Sequence, residues 1–153
     1  MVTQINGTEP VAVLALIPGE RDRRVLDAIL SRSIWKLRFA SSLRDAREKL
    51  GQNGFGAVIT DADLPGRWKD IVAVTQRMTP SPPVIVVSQV GEERLWAEVL
   101  NLGGFDVLLK PFDPTEVLRI VSMAGRNWRD RIVRAGLWKE RSTGLIQDED
   151  HRA

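Results

Sequence analysis

The segment AVITDADLPG at residues 57–66 joins a short apolar run to an acidic turn that ends in proline and glycine. Its apolar half is centred on Val58 and Ile59, and Asp61 comes shortly after that half. Unbroken runs of Val and Ile are typical of parallel strands that are covered on both faces. The segment therefore predicts a buried strand that carries a carboxylate at its C-terminal end.

Four other segments of the chain have strand character. Three are apolar runs, at residues 11–17, 84–87 and 107–109, and one, at residues 35–39, alternates apolar and basic residues as an edge strand does. A stripe with helical spacing follows each strand, and the last stripe opens at Asp113, which we expect to cap the helix. Strict alternation predicts an α/β fold with a flavodoxin-like, doubly wound, five-stranded parallel sheet, and the edge-like second strand favours the strand order 2-1-3-4-5.

This fold predicts where a functional site should lie. In an open parallel sheet, ligands bind beyond the carboxyl ends of the strands, and Asp61, Ser88 and Lys110 follow the third, fourth and fifth strands. A carboxylate, a hydroxyl and an ammonium at one rim can form a phosphoryl site, with the carboxylate as nucleophile and the other two groups as donors. Each residue alone is better explained as a turn or cap residue. Only the position of all three at the ends of neighbouring strands favours a phosphoryl site.

The composition excludes several classes of chemistry. The 153-residue chain contains no cysteine and a single histidine, His151, near its end. A disulfide scaffold, a thiolate zinc site and a Ser-His-Asp triad are therefore excluded. The longest apolar run is far too short to span a bilayer, and no cationic leader precedes a signal-type segment, so we expect a soluble, cytoplasmic protein.

The basic excess of the chain lies near its C-terminus. Residues 126–141 carry six Lys/Arg against two acidic residues, although the formal net charge of the whole chain is only +2. A charge run of this kind is usually a solvated helix face, so nucleic-acid binding is the less favoured interpretation. We divide the chain into an N-terminal tail (1–9), a main domain (10–126) and a basic helical extension with a disordered tail (127–153).

Apolar residues around the start of the extension recur at alternating spacings of three and four. This pattern is the seam of a short coiled coil and predicts a homodimer through the C-terminal helix. An exposed Trp128 and Ile132 would leave an apolar patch in water, which favours association. The alternative is that the first half of the helix packs on the sheet and the rest is solvated. The seam residues are Leu118, Val121, Gly125, Trp128, Ile132 and Ala135.

Three motifs in this order resemble the receiver domain of bacterial two-component response regulators. They are AVITDADLPG at residues 57–66, PVIVVS at residues 83–88 and GFDVLLKPF at residues 104–112. The resemblance extends over residues 10–126. It implies a signal-transduction module of a phosphorelay that acts through protein–protein contacts.

The resemblance also implies roles for individual residues and partners. Asp61 would be the phosphoacceptor, Ser88 the switch hydroxyl and Lys110 the residue that contacts the phosphoryl group. The implied partners are a histidine kinase or phosphotransfer protein and a downstream effector. No enzymatic activity is expected beyond self-phosphorylation of Asp61 from a phosphodonor.

One departure from the family concerns its magnesium site. Family members hold Mg²⁺ with two adjacent acidic residues at the end of the first strand, and Ile17 and Pro18 occupy those positions here. Neither side chain can bind a hard cation. Asp61 and the backbone carbonyl of Asp63 remain as ligands, so we expect Mg²⁺ to bind weakly. A second departure is Val107, where the family often has an aromatic switch residue.

Acidic residues do follow the first strand a few positions later. Glu20 and Asp22 are expected to form an acidic first turn of the next helix, which its dipole favours. The alternative is a shifted backbone that brings Glu20 close to Asp61.

Other interpretations remain open at this point. The runner-up to a phosphorylated receiver is a pseudo-receiver whose state is set by partners or another ligand. An enzyme on the same fold is less favoured, because no catalytic base or cofactor motif is evident, and so is a nucleic-acid binder that uses the basic tail. Among the tryptophans, we expect Trp35 in the core, Trp68 in the loop after Asp61 as a contact or lid residue, and Trp96 as a candidate partner anchor.

Overall fold

The computed structural model describes residues 5–6, 12–52, 54–63, 67–136 and 138–139. Five parallel strands form the main sheet, and a helix follows each of them. The strands are β1 (Ala12–Leu16), β2 (Lys36–Phe39), β3 (Phe55–Asp61), β4 (Val84–Ser88) and β5 (Asp106–Leu109). The helices are α1 (Glu20–Leu30), α2 (Leu43–Gln52), α3 (Arg67–Gln76), α4 (Glu93–Asn101) and α5 (Pro114–Arg134).

The strand order is 2-1-3-4-5, with every neighbouring pair parallel, which confirms the predicted topology. All seven residues of β3 are buried, because helices cover both faces of the central strands. The edge strand β2 alternates exposed and half-buried residues, as its sequence pattern predicts.

Two apolar layers hold the helices on the sheet. One layer joins α1 and α5 to one face, and the other joins α2, α3 and α4 to the opposite face. The helices do not cover the carboxyl ends of β1, β3, β4 and β5, which lie together at one rim of the sheet. The helices α1, α3 and α4 and the turn before α5 begin at this rim.

A second, two-stranded pairing lies outside the main sheet and was not predicted. Ile5–Asn6 pairs in parallel with Trp138–Lys139. The remainder of the predicted N-terminal tail (1–9) and of the predicted disordered tail beyond residue 139 lies outside the described residues.

Helix α5 begins as predicted and continues past residue 126. The carboxylate of Asp113 accepts a hydrogen bond of 3.2 Å from the backbone N–H of Thr115 and caps the helix. The side chain of Glu116, in the first turn, pairs with Arg119. The helix ends only at Arg134, eight residues beyond the predicted domain boundary.

The C-terminal part of α5 packs on the body of the domain. Trp128 and Ile132 are both buried in the core layer beneath α1 and α5. Arg129 lies over the ring of Trp35, 6.0 Å from its centroid. The expectation of an exposed Trp128 and Ile132 was therefore wrong, because the seam faces the chain's own core.

The remaining tryptophan predictions have mixed outcomes. Trp35 is buried in the core, as expected. Trp68 lies in the first turn of α3 and is only 4% exposed, so its assignment to a lid loop was wrong. Trp96 is 52% exposed on α4. Within the described residues, no helix is long and apolar enough to cross a membrane.

Candidate functional site

The three sequence-predicted site residues lie on adjacent strand ends. Asp61 and Ser88 are the last residues of β3 and β4, and Lys110 follows β5 directly. The backbone N–H of Lys110 donates to the carbonyl of Ser88 at 2.9 Å, and that of Ala62 donates to the carbonyl of Val87 at 2.8 Å. These bonds join the ends of the three strands and so fix the relative positions of the side chains that follow.

Asp61 is a buried carboxylate with a donor on each oxygen. It is 2% exposed, and its Oδ2 accepts a hydrogen bond of 2.9 Å from Nζ of Lys110. Its Oδ1 accepts a hydrogen bond of 2.8 Å from the backbone N–H of Asp63. Burial of a carboxylate is costly unless the charge is paired, and these two bonds provide that compensation.

The ammonium of Lys110 contacts three carboxylates. Besides Asp61, its Nζ lies 3.1 Å from Oδ2 of Asp22 and 3.1 Å from Oδ2 of Asp63. Burial lowers the pKa of Lys110, but hydrogen bonds to Asp61, Asp22 and Asp63 more than offset this, so the pKa lies above its ordinary value. With all four groups ionised, the cluster of Asp22, Asp61, Asp63 and Lys110 has a formal charge of −2.

Ser88 lies at the rim, but its hydroxyl is engaged within its own turn. Oγ donates to the carbonyl of Val90 at 3.2 Å and accepts from the backbone N–H of Val90 at 3.1 Å. The side chain is buried. The structure thus brings Ser88 to the same edge as Asp61 and Lys110, and its contact with a phosphoryl group stays a prediction.

Asp22 is the site residue that the sequence analysis did not identify. Glu20 is exposed at the start of α1, whereas Asp22, two positions later, hydrogen-bonds to Lys110. Because only three residues separate the end of β1 from the start of α1, the first turn of α1 lies at the rim of the sheet. The available signal was a second acidic residue in the first turn of this helix.

The carboxylates at the rim do not fit Mg²⁺ in this arrangement. Ile17, at the first of the family's two acidic positions, is buried and apolar, and Pro18 is exposed. The carboxylate oxygens lie 2.9–3.1 Å from the ammonium nitrogen, whereas Mg²⁺ binds oxygen at about 2.0–2.1 Å. Among the described residues, no group of three or more His, Cys, Asp or Glu side chains is arranged to hold a metal ion.

A groove opens beside the rim, between α4, β5 and α5. It has a volume of about 490 Å³, and the exposed side chains of Trp96 and Leu109 contribute apolar surface to it. Nε1 of Trp96 donates to Oδ1 of Asp106 at 3.2 Å, which holds the indole at the side of the groove. Acidic residues predominate among the other lining residues, which include Glu92, Glu93, Asp106, Asp113 and Glu116.

Sequence comparisons relate the chain to response regulators. The family model described as "Response regulator receiver domain" matches residues 20–122. The chain is 32% identical over 113 residues to response regulator protein PilR of Pseudomonas aeruginosa, which covers 72% of this chain and 25% of PilR. It is 29% identical over 139 residues to transcriptional regulatory protein SrrA of Staphylococcus aureus, which covers 91% of this chain and 53% of SrrA. The chain thus spans about a quarter to a half of the length of these relatives.

Solved structures share the fold at low sequence identity. NtrX of Brucella abortus, determined in complex with ADP, superposes with a TM-score of 0.72 at 19% identity, over 82% of this chain and 28% of NtrX. A two-component response regulator from Clostridium difficile superposes with a TM-score of 0.65 at 19% identity, over 76% of this chain and 96% of that one.

Receiver domains use Mg²⁺ for phosphorylation, are generally non-enzymatic, and belong to proteins that interact with histidine kinases and effectors. With the family model matching about two thirds of its length, this chain belongs to the response regulator receiver domain family of two-component signalling.

Proposed function

We propose that this chain is a phosphorelay receiver module in which Asp61 is the phosphoacceptor position and the magnesium site is degenerate. The observation that carries the proposal is the pairing of the buried Asp61 carboxylate with Lys110 at 2.9 Å. A carboxylate that attacks a phosphoryl group develops charge on the transferred oxygens, and a fixed ammonium at that position offsets it. In this reaction Oδ of Asp61 forms an acyl phosphate while the donor's leaving group departs.

The proposed role of Ser88 is to donate to a phosphoryl oxygen on Asp61. This role requires the hydroxyl to leave its hydrogen bonds with Val90, which would change the turn after β4. Val107, half-buried on β5, provides no aromatic ring that could follow such a movement. We therefore infer that the turn at Ser88, rather than a ring on β5, transmits the change.

The charge of the site argues for slow phosphorylation. Three carboxylates share the single ammonium of Lys110, so an anionic phosphodonor approaches a cluster with a formal charge of −2. In receivers a divalent cation offsets such repulsion, but Ile17 and Pro18 stand where its ligands would be. Phosphorylation of Asp61 should accordingly be slow and respond little to Mg²⁺.

Protein contact is the proposed output of the module. The groove between α4, β5 and α5 combines the half-exposed ring of Trp96 with a predominantly acidic lining. Exposed aromatic residues in a concave surface are typical anchors of protein interfaces. A histidine kinase or phosphotransfer protein would supply the phosphoryl group, and an effector would be the partner that senses its presence.

The proposed receiver domain extends through α5 to Arg134. Trp128 and Ile132 belong to its core, so a boundary at residue 126 would divide a buried surface. Because Trp128 and Ile132 are buried, they do not form the apolar surface patch from which a homodimer was expected. The proposal therefore does not include association through this helix.

Intact-mass measurement with a small phosphodonor such as acetyl phosphate tests the assignment of Asp61. We expect a slow gain of one phosphoryl group that is abolished in Asp61→Asn. The matched control is Asp63→Asn, which alters a neighbouring carboxylate of the same cluster and should still be labelled. Labelling that survives Asp61→Asn would refute the assigned residue.

A pseudo-receiver is the second candidate function. It is favoured by one observation, namely that three carboxylates of the protein itself pair with Lys110. In that case no label should appear on Asp61 even with a cognate histidine kinase, and partner binding should be the same with and without phosphodonor.

A further inference from the structure

We propose that the ammonium of Lys110, held in place by Asp22, is the permanent cation of this site and excludes a divalent metal from the carboxylate cluster around it. This inference rests on the proposed function, because it specifies how the same rim works without the family's acidic pair. It assigns Asp22 as a positioning residue, one that holds Lys110 against Asp61.

The ammonium of Lys110 lies among three carboxylates. Its distances of 2.9–3.1 Å to three carboxylate oxygens are those of charge-assisted hydrogen bonds and close ion pairs. Only 9% of the Lys110 side chain is exposed, so little water competes for these contacts. A divalent ion at the same point would require all three carboxylates to move inward by almost 1 Å.

One of the three carboxylates comes from a distant part of the chain. Asp61 and Asp63 lie on β3 and the turn after it, but Asp22 comes from α1 and contacts Lys110 across 88 positions of the chain. Oδ2 of Asp22 also lies against Gly19, where an added Cβ would be 3.2 Å away. The first turn of α1 therefore presents a carboxylate to the rim, although Ile17 and Pro18 follow the end of β1.

Lys110 offsets the repulsion between these carboxylates. The carboxylates of Asp22, Asp61 and Asp63 would repel one another if Lys110 were absent, since all three lie within hydrogen-bonding distance of one point. Removal of the ammonium should therefore leave a cluster of hard oxygen ligands, which is the kind of group that binds divalent cations. Lys110 excludes the metal by occupying the centre of that cluster.

Mn²⁺ binding, followed by electron paramagnetic resonance on the full chain, tests this exclusion. We expect no saturable binding to the wild type at millimolar Mn²⁺, a gain of affinity of at least about tenfold in Lys110→Met, and loss of the gain in Lys110→Met/Asp22→Asn. The matched control is Lys49→Met, which removes the ammonium that pairs with Asp45 on α2 and should gain nothing. Sub-millimolar binding to the wild type, or no gain in Lys110→Met, would overturn the proposal.

A second measurement applies even if Lys110→Met does not fold. The ammonium of Lys110 should give a slowly exchanging ¹H–¹⁵N signal in the wild type that does not change on addition of Mg²⁺. We expect Asp22→Asn to abolish this signal, and Asp27→Asn, an exposed substitution on the same helix, to leave it unchanged. A signal that persists in Asp22→Asn would overturn the role of Asp22, and a signal that Mg²⁺ abolishes in the wild type would overturn the exclusion of the metal. Neither result depends on whether Asp61 is phosphorylated, which the mass measurement decides separately.

Discussion

Lys110 and Asp61 are 49 positions apart in the chain, and the ammonium of the first lies 2.9 Å from Oδ2 of the second. The contact joins the end of β5 to the end of β3 across β4, so it depends on the complete sheet order. Both side chains are largely buried. The contact should therefore affect the stability of the fold as well as phosphoryl chemistry.

Substitution of Lys110 by methionine should destabilise the fold. It leaves the buried charge of Asp61 without its counter-ion, and removal of one partner of a buried pair typically costs about 3–5 kcal/mol. Urea unfolding measures the loss. Lys49→Met, on the more exposed pair with Asp45, should change the free energy of unfolding much less, and equal losses in the two variants would contradict the account.

The contribution of Lys110 to stability should depend on pH in a defined direction. Its pKa is raised above the ordinary value of 10.5, so the folded state holds the proton more tightly than the unfolded state does. The contribution is therefore complete below pH 10.5 and is lost as the pH rises from there through the folded-state pKa. The difference in unfolding free energy between wild type and Lys110→Met should be constant from neutral pH to about pH 9. A decline within that range would contradict the assignment.

Gly125→Ala should destabilise the chain although alanine is the better helix former. A Cβ at this position would lie 2.7 Å from Cζ3 of Trp35 and closer still to Cη2. Overpacking of this kind costs about 1–3 kcal/mol. Gly51→Ala, in α2, meets no atom within 4 Å and should instead stabilise the chain, by up to about 1 kcal/mol. Thermal unfolding of the two variants should shift in opposite directions, and a stabilised Gly125→Ala would refute the packing of α5 on Trp35.

Trp128→Ala should show that the C-terminal part of α5 belongs to the core. Loss of a buried tryptophan costs about 3–5 kcal/mol, whereas Val133→Ala, on the exposed side of the same helix, should have little effect. Denaturant unfolding at several protein concentrations makes the comparison. A Trp128→Ala variant as stable as Val133→Ala, or a midpoint for the wild type that rises with concentration, would favour a seam between two chains.

The fold could be predicted because its determinants are local. Unbroken apolar runs, helical stripes and the alternating segment at residues 35–39 each specify one element, and right-handed crossovers leave few ways to arrange them. Asp61, Ser88 and Lys110 could be placed at one rim for the same reason, since strand ends in a parallel sheet share an edge.

The features that the sequence did not predict depend on tertiary packing. Asp22 reaches Lys110 because of the rotation of α1 about its axis, which an acidic first turn does not specify. The apolar seam around Trp128 would look the same whether it packed against the chain's own sheet or a second copy. Trp68 was assigned to a loop because the start of α3 has no clear capping signal, and its burial follows from the face that α3 turns to the sheet.

The rate at which a small phosphodonor labels Asp61, measured by intact mass with Mg²⁺ and with excess chelator, tests the central claim most directly. Lys110 is the cation that contacts Asp61 directly, with its ammonium 2.9 Å from Oδ2 of that carboxylate. We predict slow labelling that differs by less than about threefold between the two conditions and is absent in Asp61→Asn. Rapid, stoichiometric labelling in Mg²⁺ that chelation abolishes would contradict the account, because it would show that a functional metal site forms at this rim.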